Sequence, residues 1–86
     1  MKIKYSRAAL RYLAKLESKQ AARIRFAIEG LTKAPPEGDI KPLSGYSDGR
    51  MRLRVGGWRV IYRYDETGGL MILLVIDIGS RGDIYK

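Results

Sequence analysis

The chain has 86 residues, a formal charge of +8 and a pI of about 10.1. This length supports a single domain spanning 1–86, near the lower limit for a self-sufficient core, and the charge favours phosphate-bearing partners. With no cysteine and no histidine, disulfide staples, thiolate or imidazole metal ligands and the ordinary general base near neutral pH are all excluded.

In chain order, Lys2-Ile3-Lys4-Tyr5 alternates and reads as a first strand. Ser6 is placed to cap a helix whose Ala9, Leu13 and Leu16 share a stripe. Glu17-Ser18-Lys19 interrupts it, and Ser18 is placed to cap a second helix with Ala21, Ile24, Ile28 and Leu31 in phase. Two short, closely connected helices suggest a helical hairpin that needs an apolar surface beneath it. Residues 33–49 contain all three prolines together with Gly38, Gly45 and Gly49, and read as a long loop suited to binding.

Arg50-Met51-Arg52-Leu53-Arg54-Val55 follows, then Gly56-Gly57, then Trp58-Arg59-Val60-Ile61-Tyr62-Arg63-Tyr64. Side chains alternate across a strand. A two-residue turn therefore pairs Val55 with Trp58, Arg54 with Arg59, Leu53 with Val60, Arg52 with Ile61 and Arg50 with Arg63. One face becomes apolar; the other collects the guanidinium groups of Arg50, Arg52, Arg54, Arg59 and Arg63. Such a face can be a solvated guard on an exposed sheet. Its regular spacing favours an anionic ligand, because arginine's planar fork offers phosphate two parallel hydrogen bonds. Trp58, Tyr62 and Tyr64 are in phase with the apolar face and read as core.

After Asp65-Glu66-Thr67-Gly68-Gly69, residues 70–78 are almost unbroken apolar, as in a central strand covered on both faces. Asp77 interrupts that run and is expected to pair with an arginine. The irregular tail from Gly79 can swing Arg81 and Tyr85 back towards the arginine face. Gly79-Ser80-Arg81-Gly82 lacks the spacing and lysine of a phosphate-binding P-loop. The order β-α-α-β-β-β implies an α+β fold: a twisted, mainly antiparallel sheet with the helical hairpin packed on one face. The start has no signal-peptide core, and the longest apolar run, residues 70–76, is too short for a bilayer. A soluble cytoplasmic protein with no membrane partner is expected.

Leu43-Ser44-Gly45, the segment from Arg50 to Tyr62, and Ile78-Gly79-Ser80-Arg81-Gly82-Asp83-Ile84-Tyr85-Lys86 together resemble the RelE branch of the RelE/ParE toxin superfamily. The resemblance implies the toxin of a type II toxin–antitoxin system. Such toxins are endoribonucleases (mRNA interferases) that cut mRNA without metal or other cofactor, usually in the ribosomal A site, and so inhibit translation. It also implies a cognate RelB-like antitoxin encoded by a neighbouring gene, and mRNA on the ribosome as the other partner. Arg50 and Arg52 fall where the family often has two lysines, and Arg59 on its arginine after the aromatic residue. Arg81 and Tyr85 fall on its tail pair.

The implied chemistry is transesterification, in which a ribose 2′-OH attacks the adjacent phosphorus. Arg52 and Arg59 are then expected at the phosphoryl oxygens and Arg81 at the leaving oxygen. Tyr85 is either the base or a base-stacking group, and Arg50, Arg54 and Arg63 are expected to hold flanking phosphates. Arginine is effectively always protonated, so Arg50 and Arg52 would be poor bases. Two alternatives share these residues: a ParE-like inhibitor of DNA gyrase, and a non-catalytic RNA-binding module.

Overall fold

The computed structural model of the chain describes residues 1–80. β1 (Lys2–Tyr5) leads into α1 (Arg7–Lys15) through Ser6, which caps the helix as the sequence implies. Ser6 Oγ accepts the Ala9 N–H at 3.0 Å and donates to the Ile76 carbonyl at 2.6 Å. The Ser6 N–H donates to the Val75 carbonyl at 2.9 Å. One residue thereby ends a strand, starts a helix and fixes that helix to a later strand.

The second cap differs from expectation. α2 spans Ser18–Glu29, so Ser18 is its first residue, and Glu17 stands at the cap with no side-chain bond to the helix. Ala9 and Leu13 of α1 and Ile24 and Ile28 of α2 enter one core with Leu31, which follows in a short 3-10 turn, Gly30–Thr32. The strand side of that core is Leu53, Val55, Val60, Tyr62, Leu73, Val75 and Ile78.

Residues 33–49, read as loop, contain a strand. β2 (Asp39–Pro42) lies antiparallel to β3 (Met51–Val55), with Ile40 opposite Leu53. β4 (Trp58–Thr67) and β5 (Leu70–Ser80) complete a five-stranded sheet of order β1-β5-β4-β3-β2. β1 is parallel to β5 and the other pairs are antiparallel. The α+β architecture is thus the expected one with an added edge strand. That strand is short and ends in Pro42, whose missing N–H is tolerated at an edge.

β5 is interior, flanked by β1 and β4, but only its Leu73, Val75 and Ile78 side is fully buried. Ile72, Leu74 and Ile76 are half-buried, so the strand is not covered on both faces as its apolar run implied. A bulge at Ile61/Tyr62, where the partner changes from Asp77 to Val75, leaves Ile76 without an opposite residue.

Tyr62 and Tyr64 belong to the helix side, with rings edge-on at 5.7 Å and 83°. The Tyr64 hydroxyl donates to the Leu31 carbonyl at 2.7 Å, tying the sheet to the end of α2's extension. Trp58 packs against the same core.

Gly38 has φ +132°, and a Cβ there would stand 2.6 Å from Leu53 Cδ1 in the core. Both the backbone and the space exclude a side chain. Gly38→Ala should therefore destabilise the fold by about 1–3 kcal/mol, measured as a lower urea midpoint with unchanged slope.

Candidate nucleic-acid interface

The hairpin register is the one the sequence implies: Val55 faces Trp58, Arg54 faces Arg59, Leu53 faces Val60 and Arg52 faces Ile61. Because Leu53, Val60 and Tyr62 point into the core, Arg52, Arg54, Arg59 and Arg63 point to the opposite face. Arg50 lies just before β3, so its expected ladder pairing with Arg63 is replaced by a shared carboxylate. Asp48 Oδ2 is 3.1 Å from Arg50 Nε and 3.8 Å from Arg63 Nε. The Arg50 guanidinium also lies over the Tyr46 ring, with Cζ 4.4 Å from its centre.

Opposed arginines repel, and the structure shows what offsets this. Asp39, on the unexpected β2, stands opposite Arg54 and contacts its Nη2 at 2.6 Å. Its second oxygen is 3.5 Å from Arg52 Nη2. Arg63 Nη1 is also 3.6 Å from Asp65 Oδ1. Arg59 takes another course: its Nη1 donates to the Trp58 carbonyl at 3.1 Å and the Gly56 carbonyl at 3.4 Å, bracing the turn. It joins no ion pair among the described residues.

Exposure sorts these arginines. Arg59 is 7% exposed and the Arg52 side chain 13%, whereas the Arg54 side chain is 52% exposed. Arg52 is diagonal to both Arg59 and Arg63 across Ile61, a cross-strand spacing of about 7–8 Å between backbones. A guanidinium sheltered from water acts more strongly on a nearby charge than an exposed one. Arg52 and Arg59 are thus the most sheltered of the described arginines on this face, with Arg54, Arg50 and Arg63 around them.

Other members of this face had weaker signals. Lys41 is opposite Arg52 on β2, and the register of Arg63, Leu74 and Lys4 carries positive charge to the β1 edge. Lys41 went unseen because its strand did; the alternation Asp39-Ile40-Lys41 is its only local sign. Asp77 shares the row of Arg52 and Ile61, but it does not pair with an arginine among the described residues. Its Oδ1 accepts the Ile78 N–H at 2.9 Å, beside the bulge. Arg81 and Tyr85 lie outside the described residues.

Burial raises the phenol pKa of Tyr62 and Tyr64 above the ordinary 10.0. Neither is available as a base near neutral pH. The hydrogen bond from Arg50 holds the Asp48 carboxyl below its ordinary 3.8. A carboxyl lowered on folding stabilises the native state fully above its unfolded value, and that contribution is lost as pH falls through the folded value. In an NMR titration, Asp48 should titrate below 3.8, and Arg50→Gln should move its midpoint upward.

Among the described residues no cluster of acidic side chains could hold a metal ion, and no helix is long and apolar enough to cross a membrane. A family model described as "ParE toxin of type II toxin-antitoxin system, parDE" matches residues 3–85. No curated protein matches in sequence. Among solved structures, a YoeB/ParE toxin from Agrobacterium tumefaciens superposes with a TM-score of 0.76 at 21% identity, over 94% of this chain and 99% of the other. The RelBE2 toxin–antitoxin complex from Mycobacterium tuberculosis gives 0.71 at 24% identity, over 93% and 96%. The isolated RelE toxin of E. coli gives 0.67 at 23% identity, over 98% and 89%. These likenesses establish a common fold.

Proposed function

Because the chain belongs to the ParE toxin family of type II toxin–antitoxin systems, and so to the RelE/ParE toxins, we propose that it acts as an endoribonuclease on mRNA in the ribosomal A site. The observation that carries this reading is the placement of two sheltered arginines, Arg52 and Arg59, at diagonal positions of neighbouring strands on one face, with Arg63 on the far side of Ile61.

In the proposed reaction a ribose 2′-oxygen loses its proton and attacks the adjacent phosphorus. The new O2′–P bond closes a cyclic phosphate as the P–O5′ bond breaks, and the departing oxygen takes up a proton to leave a 5′-OH. Negative charge grows on the phosphoryl oxygens and then on the leaving oxygen. Arg52 and Arg59 stabilise the first and Arg81 the second, as fixed donors needing no reorganisation. Tyr85 serves as base or stacks on a nucleobase. Arg50, Arg54 and Arg63 hold neighbouring phosphates, with Lys41 and Lys4 extending the path. The ribosome supplies orientation, so part of the barrier is met by positioning. Purified protein incubated with mRNA on translating ribosomes should leave 2′,3′-cyclic phosphate ends; uncut message from folded protein would refute the reading.

A charge of +8 calls for an acidic partner, and we propose a RelB-like antitoxin encoded beside the toxin. The M. tuberculosis neighbour is itself a toxin–antitoxin complex. Tagged protein drawn from native cells should bring such a partner with it.

The ParE description of the matching family model favours a second reading, inhibition of DNA gyrase by binding. The double replacement of Arg59 and Arg81 by alanine separates the two. Abolished toxicity supports the nuclease; undiminished toxicity with blocked supercoiling supports the gyrase inhibitor.

A further inference from the structure

Asp39 is the residue on which the arginine face turns most directly. β2 places it opposite Arg54 at the sheet edge. One of its oxygens, Oδ2, lies 2.6 Å from both Arg54 Nε and Arg54 Nη2, occupying the fork that would grip a phosphate oxygen. The other, Oδ1, reaches Arg52 at 3.5 Å. A single carboxylate thus spans two guanidinium groups with two oxygens. The non-bridging oxygens of an RNA phosphodiester, which also carries one negative charge, would make the same span.

From this geometry we infer that Asp39 holds the place of an RNA phosphate in the free protein, and that RNA is taken up there by anion exchange. The inference rests on the reading of this face as an RNA site. The Asp39 side chain is 44% exposed, and an ion pair this open is weakly held, so it yields readily to an incoming phosphate. A single mobile phosphate gains little by displacing it. A strand anchored at several arginines at once gains more, because its later contacts are intramolecular. Asp39 is therefore a specificity-determining residue that favours an extended polyphosphate chain over free phosphate.

The exchange has a sign that binding can read. With Asp39 in place, a bound phosphate replaces a charge already neutralised and releases fewer counterions. The 86-residue protein and its Asp39→Asn variant should be titrated with a single-stranded 2′-O-methyl RNA, which cannot be cut, over a series of salt concentrations. Glu17→Gln removes the same charge from an exposed site between the helices.

Asp39→Asn should bind about 3–10-fold more tightly at low salt. Its log–log salt slope should be steeper by up to about 0.7, the value for one phosphate contact on a single strand. Glu17→Gln should change affinity less than about 2-fold, as expected for a screened, distant charge. Equal or weaker binding by Asp39→Asn, or no RNA binding by either protein, overturns the inference. The nuclease reading is judged separately: a wild type that leaves message intact on translating ribosomes refutes it, while a tighter Asp39→Asn would still establish the exchange.

Discussion

Arg52→Ala should lower the rate of ribosome-dependent mRNA cleavage about 10²–10³-fold, the usual cost of removing a preorganised donor to developing negative charge. The fold should survive. Arg52 contributes one 3.5 Å contact to Asp39, and Asp39 keeps its shorter contacts with Arg54. Arg54→Ala, at a far more exposed position, should cost less than about 10-fold and act mainly on binding, as expected for a flanking phosphate contact. Arg59→Ala should match Arg52→Ala in rate but also loosen the Gly56-Gly57 turn, because its Nη1 bonds to the Gly56 and Trp58 carbonyls are lost. Single-turnover cleavage, with thermal unfolding of each variant alongside, would test this order. Equal effects at Arg52 and Arg54 would mean that burial does not sort these groups by role.

Tyr62→Ala should destabilise the protein by about 3–5 kcal/mol, in the range for deleting a buried aromatic ring. Tyr62 is 1% exposed, the largest fully buried side chain among the described residues, and lies edge-on against Tyr64. A small domain has about 5–15 kcal/mol in total. The melting temperature should fall about 4–8 °C for each kcal/mol lost, leaving much of the population unfolded at 37 °C. A loss below about 1 kcal/mol would contradict the placement of this ring at the centre of the sheet–helix core.

The hairpin was legible because strict alternation on both sides of a diglycine admits few registers, and an error of one residue would have buried the arginines. Ser6 was legible for a similar local reason, a hydroxyl before an apolar stripe. β2 was not. Asp39-Ile40-Lys41-Pro42 is short, polar and flanked by glycine and proline, and it becomes a strand by pairing with β3 rather than by its own propensity. Missing that strand hid Asp39 and Lys41, and with them the carboxylate that answers the repulsion between Arg54 and Arg59. Asp48 was hidden differently, since a loop residue's partners depend on where the loop closes.

Ser18 misled because a serine after a helix break signals a cap only if the next helix starts beyond it, and here the helix starts on it. The apolar run of β5 misled about cover, because both helices occupy one side of the sheet. Among the described residues Asp77 accepts the Ile78 N–H rather than pairing with an arginine; it sits beside a bulge, and a bulge leaves almost no trace in sequence.

In the proposed reaction Arg52 and Arg59 act together at one RNA linkage. A cryo-EM map of the protein on a ribosome, with an uncleavable codon in the A site, tests that most directly. It should place both guanidinium groups about 2.7–3.2 Å from non-bridging oxygens of the same phosphodiester, with Asp39 displaced from Arg54. A bound protein presenting its helices to the message, with the arginine face turned away, would contradict the account.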